Sequence, residues 1–190
     1  NKVIALNICL LPAEKINKIL NENYNREDSE YTSENLEFIP HLSLAMLFIK
    51  ENNIHDLYEE LKLLVSSKFF LKNSNKIRKW NLYWVSIQRC EELNELQNNI
   101  IELIQKYKET WNEDSFITKQ FQFKNNVNRV DVYEKNNNFS SDLHITLWQN
   151  EPKKLDLNNL WNELEFSELA LWHLWNFCAV RKTINKIQLK

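Results

Sequence analysis

A chain of 190 residues without a single glycine has to make every turn and bulge with residues that carry a side chain. Positions needing positive φ then fall largely to Asn, the next most tolerant residue. The Asn-rich patches at 73–75, 125–128 and 136–138 accordingly read as turns. Between them, a hydrophobic share of 43% is enough for one well-buried core, and the length is that of one domain, residues 1–190.

Val3 to Leu11 is a mainly apolar stretch and reads as a buried strand. Pro12 suits the first turn of a helix that carries Ile16, Ile19 and Leu20 on one face. The polar stretch 21–35 reads as a loop, and Ile39-Pro40 introduces a second apolar run, His41 to Ile49. Asn53 is placed to cap a helix over about 54–66, where Ile54, Leu57, Leu61, Leu64 and Val65 keep helical spacing. Phe69 to Leu71 and Trp80 to Gln88 read as strands. Leu93, Leu96, Ile100, Leu103 and Ile104 mark an amphipathic helix over roughly 91–108. Segment 111–138 stays open, with Val127 to Glu134 fitting a short helix or a strand. Ser141 to Gln149 reads as a strand, Leu157 to Leu164 as a short helix, and Glu168 to Phe177 with Arg181 to Leu189 as two closing strands. The pattern is α+β in two similar halves, with no low-complexity linker between them.

A formal net charge of −2 leaves no cationic excess to neutralise a long run of phosphates, which disfavours an extended nucleic-acid groove. A local cleft that grips one or two phosphates remains compatible with it. Cys9, Cys90 and Cys178 lie far apart and form no C-x-x-C pair, which argues against a disulfide framework or a cysteine-rich zinc site. They read as three reduced thiols. The opening apolar stretch has no basic region before it, and no run approaches the roughly 18 apolar residues of a membrane span. The expectation is a soluble, cytoplasmic protein without a membrane partner.

Two of the four histidines stand in matching contexts, Pro40-His41-Leu42-Ser43-Leu44 and Leu143-His144-Ile145-Thr146-Leu147. Each is His, apolar, hydroxyl, apolar. Side chains alternate along a strand, so His41 and Ser43 share one face while Leu42 and Leu44 take the other. The second motif repeats this. If the two strands face each other across a cleft, two imidazoles and two hydroxyls converge on one small volume. Phosphodiester cleavage needs such a set: a base for the attacking oxygen, an acid for the leaving one, and neutral donors on the non-bridging oxygens. Imidazole suits both proton roles near neutral pH, and the logic requires no metal or other cofactor.

With these motifs the chain resembles the 2H phosphoesterase superfamily, the LigT-like or 2′-5′ RNA ligase-like proteins, named for paired His-x-Thr/Ser motifs. The resemblance runs through IALNICLLP, PHLSLAMLFI, YWVSIQRCEELNELQ, LHITLW and LALWHLWNFCAVRKTI, most of the chain. It implies a pseudo-symmetric, two-lobed α+β fold, with antiparallel sheets around a central cleft and helices outside. It also implies His41 and His144 as acid and base, and Ser43 and Thr146 as phosphate-oxygen donors. The implied partner is a nucleotide or RNA end carrying a 2′,3′-cyclic phosphate or 2′-5′ linkage, with no obligate protein partner. The sequence departs from the usual pattern at Leu143, where proline often precedes the histidine, at Trp148, where a small residue is common, and at Ser43, which replaces threonine but keeps the hydroxyl.

Trp148 shares the face of His144 and Thr146 by parity and is placed to stack on a base or to pack at the rim. Arg181 and Lys182 could anchor phosphate oxygens, although strand-end surface charge is the plainer reading. His55 reads as surface, and His173, between Trp172 and Trp175, as a hydrogen-bonded, half-buried imidazole. The aromatic residues Trp80, Tyr83, Trp84, Trp172 and Trp175 read as core. Two competing functions are a catalytically silent module that binds a nucleotide or RNA end in the same cleft, and a histidine metal site, which lacks a carboxylate at ligand spacing.

Overall fold

The structure is a computed structural model and describes residues 2–22, 40–79, 83–112, 114–117, 127, 130, 143–148, 163–174 and 180–190. Its described strands are β1 (Val3–Pro12), β2 (Leu42–Lys50), β3 (Phe69–Leu71), β4 (Asn73–Lys79), β5 (Tyr83–Ile87), β6 (His144–Trp148), β7 (Leu164–Leu174) and β8 (Val180–Gln188). The helices are α1 (Glu14–Glu22), α2 (Ile54–Leu64) and α3 (Glu91–Ile104). The fold is α+β. One antiparallel sheet runs in the order β3-β7-β1-β2-β6-β5-β4, with β8 also paired to β7.

β1 is buried along all ten residues because β2 and β7 flank it and both of its faces are covered. Alternate residues Ile4, Leu6, Ile8 and Leu10 join Leu57 and Leu61 of α2, Leu93, Leu96 and Ile100 of α3 and Leu20 of α1 in one core that spans both halves. The opposite face is less uniformly apolar. At one end Val3, Ala5, Met46, Phe48, Phe116, Val127, Val130 and Leu174 cluster, with the Phe48 and Phe116 rings edge to face at 5.8 Å. Next to them lie Cys9, Leu11, Ala170 and Trp172.

β3 and β4 terminate opposite ends of the seven-strand path, yet only Lys72 separates them. A flat sheet would hold those ends roughly 29 Å apart at the usual strand spacing, whereas Leu71 and Asn73 can be no more than about 7 Å apart along the chain. The sheet is therefore bent until its ends meet. Register shifts at Ile8/Cys9, Leu11/Pro12, Tyr83/Trp84, Asn73/Ile77 and Leu171/Trp172 supply local bends that a chain without glycine cannot take from glycine kinks.

Several boundaries differ from the sequence reading for identifiable reasons. Pro12 closes β1 rather than opening α1. Its neighbour Ala13 donates to the Glu165 carbonyl, and the Ala13 carbonyl takes the first helical bonds from Ile16 and Asn17. Asn53 ends a 3-10 turn (Glu51–Asn53) with φ −90° and ψ −3°, so its side chain makes no capping bond. A capping residue needs extended backbone angles to reach back to the helix amides. Leu64 ends α2 at 38% exposure, leaving Ile54, Leu57 and Leu61 as its buried stripe.

Asn73–Asn75 are strand, not turn: Asn73 is buried and pairs with Ile87. Leu164, expected to finish a helix, begins β7, because Leu164–Phe166 gain β3 as a hydrogen-bonded neighbour. α3 ends at Ile104, short of the expected 108, and Lys108 bridges to Ile49. The loop reading over 23–35, the turns at 125, 126, 128 and 136–138, and the helix over 157–162 lie outside the described residues. Of Val127 to Glu134, Val127 and Val130 are described, both buried and helical in backbone.

α2 is tied to the turn that follows α3 by Tyr107, whose hydroxyl donates to Glu60 at 2.5 Å, while Lys106 reaches the other carboxylate oxygen at 2.7 Å. Burial and that hydrogen bond push the Tyr107 phenol up to about 12.

Candidate active site

The two halves of the sheet join where β2 meets β6, at the antiparallel pair Leu42↔Ile145. Both side chains are fully buried on the helix-covered face. Alternation sends their neighbours to the other face, and the antiparallel register puts His41 across from Thr146 and Ser43 across from His144. The four form a small patch with a local two-fold through the Leu42–Ile145 pair. Directly opposed side chains in such a pair have Cβ atoms about 4.5–5.5 Å apart. All four are half-buried, so each retains access to solvent. The motif strands meet edge to edge, as hydrogen-bonded neighbours.

A bulge in β2 makes this possible. Cys9 pairs with Ser43 and Ile8 with Ala45, so Leu44 is the extra residue, and Leu44 and Ala45 both enter the helix-side core. Without it, the alternation that puts Met46 and Phe48 on the site face would send Ser43 into the core. The bulge leaves the Leu44 carbonyl to a side chain: buried Gln97 on α3 donates to it at 2.9 Å, and Arg89 donates to the Gln97 carbonyl oxygen at 3.1 Å.

Neighbouring strands supply further groups. Asn7 on β1 donates from Nδ2 to Ser43 Oγ at 3.0 Å. Trp172 on β7 meets His41 ring to ring at 5.0 Å in a T-shaped contact, and Trp84 on β5 meets His144 at 5.5 Å. Ser86 lies directly across β5 and β6 from His144. The indole N–H groups of Trp84 and Trp172, Ser86 Oγ and Asn7 Oδ1 are buried without a hydrogen-bond partner among the described residues. Trp172 and Trp84, read from sequence as core, thus also wall the two imidazoles. Asn7 was missed by sequence reasoning, although its signal was there, an amide inside the apolar run Val3 to Leu11.

The side chains of Trp148 and Arg181 lie outside the described residues; the Trp148 backbone ends β6 opposite Tyr83. Trp80, Trp175 and Cys178 also lie outside them. Lys182 and His55 are exposed. Cys9 and Cys90 are free thiols, and burial pushes Cys9 well above the usual thiol range. Among the described residues no three His, Cys, Asp or Glu side chains are placed to share a metal ion, and no helix is long and apolar enough to cross a membrane.

His173 is buried, with Nε2 at 3.0 Å from the Ser115 carbonyl. A carbonyl only accepts, so Nε2 carries the proton. Desolvation lowers this imidazole below its usual pKa of 6.5. A histidine harder to protonate when folded stabilises the protein above its unfolded pKa, and that contribution is lost as pH falls through the folded one. The urea midpoint of the wild type should therefore fall below about pH 6.5 more steeply than that of His173→Gln. Equal slopes would rule His173 out as the source.

The bent antiparallel sheet, with α1, α2 and α3 on one face and paired histidine motifs at its seam on the other, is the two-lobed LigT-like α+β fold. Solved structures similar to it include E. coli LigT in apo form, at 13% identity and a TM-score of 0.58 over 100% of this chain and 99% of that one. E. coli LigT complexed with 3′-AMP matches at 14% and 0.58 over the same shares. The protein TT0787 of Thermus thermophilus matches at 13% and 0.53 over 98% of each chain. No protein-family model matches the sequence, and no curated protein does.

Proposed function

We propose that the chain is a phosphoesterase acting on 2′,3′-cyclic phosphate or 2′-5′ phosphodiester bonds of nucleotides or RNA ends. The observation that carries this reading is the seam itself, which brings His41, Ser43, His144 and Thr146 onto one face around the Leu42–Ile145 pair. One imidazole takes a proton from the attacking water, and the oxygen adds to phosphorus. The other imidazole protonates the ribose oxygen as its bond to phosphorus breaks. Ser43 and Thr146 donate to the non-bridging oxygens, whose charge is greatest in the transition state.

Nucleotides as the substrate class are supported by the fold's other members: E. coli LigT is known in complexes with 3′-AMP, ATP and NADP+. Incubating the chain, with EDTA present, with the four 2′,3′-cyclic mononucleotides and a 2′-5′-linked dinucleotide tests the proposal. Turnover of at least one is expected. Binding of a nucleotide in calorimetry without product from any of them would favour a silent binding module instead.

A further inference from the structure

Asn7 is the only amide in β1 and is completely buried, in a strand otherwise given over to apolar packing. Burying an amide is unfavourable unless its hydrogen bonding is used, and a leucine or isoleucine would serve the packing alone. Its one hydrogen bond among the described residues goes to Ser43 Oγ, at 3.0 Å. A serine hydroxyl has one proton and two lone pairs. With one lone pair taken by the Asn7 amide, the hydroxyl proton has to point elsewhere. Asn7 is also the one hydrogen-bond partner of the Ser43 hydroxyl among the described residues, and Ser43 is half-buried.

We infer that Asn7 is a positioning residue for Ser43, holding the hydroxyl as an acceptor on the strand side so that its proton is presented outward to a phosphate oxygen. The inference rests on the phosphoesterase reading and adds to it the polarity of the Ser43 contact. That polarity is testable because ionised aspartate has nearly the shape of asparagine but only accepts, so the comparison is run at a pH where the carboxyl is deprotonated. At position 7 it would draw the same proton inward and turn a lone pair toward the phosphate.

The test is steady-state kinetics on a 2′,3′-cyclic mononucleotide, with thermal unfolding of each variant. Ser43→Ala is expected to lower kcat about 10²-fold, as loss of one oxyanion donor does. Asn7→Asp should come within about threefold of Ser43→Ala and add nothing once Ser43 is gone, because the two act through one hydroxyl. Asn7→Ala leaves the hydroxyl free to turn and should lose less. If Asn7→Asp fails to fold, Asn7→Leu carries the test, with a lowered kcat at an unchanged KM and a retained unfolding midpoint expected.

Asn7→Ala losing as much as Asn7→Asp overturns the inference, as does Asn7→Asp costing as much without Ser43 as with it, or Asn7→Leu at wild-type kcat. Each is what mere packing would produce. An active wild type with Ser43→Ala impaired and Asn7→Asp unaffected removes the role of Asn7 alone. A wild type without turnover removes the phosphoesterase reading and this inference with it.

Discussion

His41→Ala and His144→Ala should each lower kcat on a 2′,3′-cyclic nucleotide by about 10²–10⁴-fold, the span of a single general acid or base. On the proposed mechanism each variant removes one end of a proton relay in which one imidazole takes a proton as the other gives one. Combining them should therefore cost much less than the product of the single effects. KM should change little, since the proposed phosphate donors Ser43 and Thr146 are kept. Neither histidine belongs to the core, so thermal unfolding should stay near wild type. Steady-state kinetics beside a melting curve checks both points, and near-wild-type turnover in either variant would end the two-histidine assignment. On the proposed mechanism acid and base exchange roles when the reaction runs backward, as microscopic reversibility requires. Which imidazole starts as base and which as acid then falls to their unlike neighbours, Trp172 beside His41 and Trp84 beside His144.

Trp172→Ala should destabilise the protein by about 3–5 kcal/mol, the usual cost of emptying a large aromatic site. The side chain is fully buried against Cys9, Leu11 and Ala170. Against a total stability of about 5–15 kcal/mol this is a large fraction. The urea midpoint should drop with little change in slope. Activity should fall as well, even at temperatures where the variant is folded, because His41 loses the ring it rests against. Trp172→Phe should be milder on both counts. It keeps a ring and removes an indole N–H that has no partner among the described residues. A Trp172→Ala protein with the wild-type midpoint would show that the site can collapse around the loss.

Much of the fold is legible where a local pattern and a tertiary demand agree. The apolar run of β1 reads as a buried strand, and the spacing of Leu93, Leu96 and Ile100 reads as an amphipathic helix; both are so. The paired histidine motifs are legible because their hydroxyls recur at the same offset. What fails are positions settled by a distant partner. Asn73 looks like a turn residue, but Ile87 holds it in a strand. Leu164 looks helical until β3 lies beside it. Nothing local marks Leu44 as a bulge; only the register against β1 and the amide of Gln97 reveal it. Asn7 was visible as an anomaly, yet its use depends on Ser43, 36 residues away.

On the proposed phosphoesterase reading, the single residue between β3 and β4 bears on substrate choice. A two-lobed molecule is readily pictured as jaws on a hinge. Here the same short run of backbone belongs to both ends of the described strand path, so the jaws are clamped at the tips as well as at the seam. The spacing between the two imidazoles then behaves as a gauge, cut by strand number and register rather than adjusted on each turnover. Such a gauge accepts one phosphate geometry and leaves the rest of the ligand to be judged by whatever lines the rim.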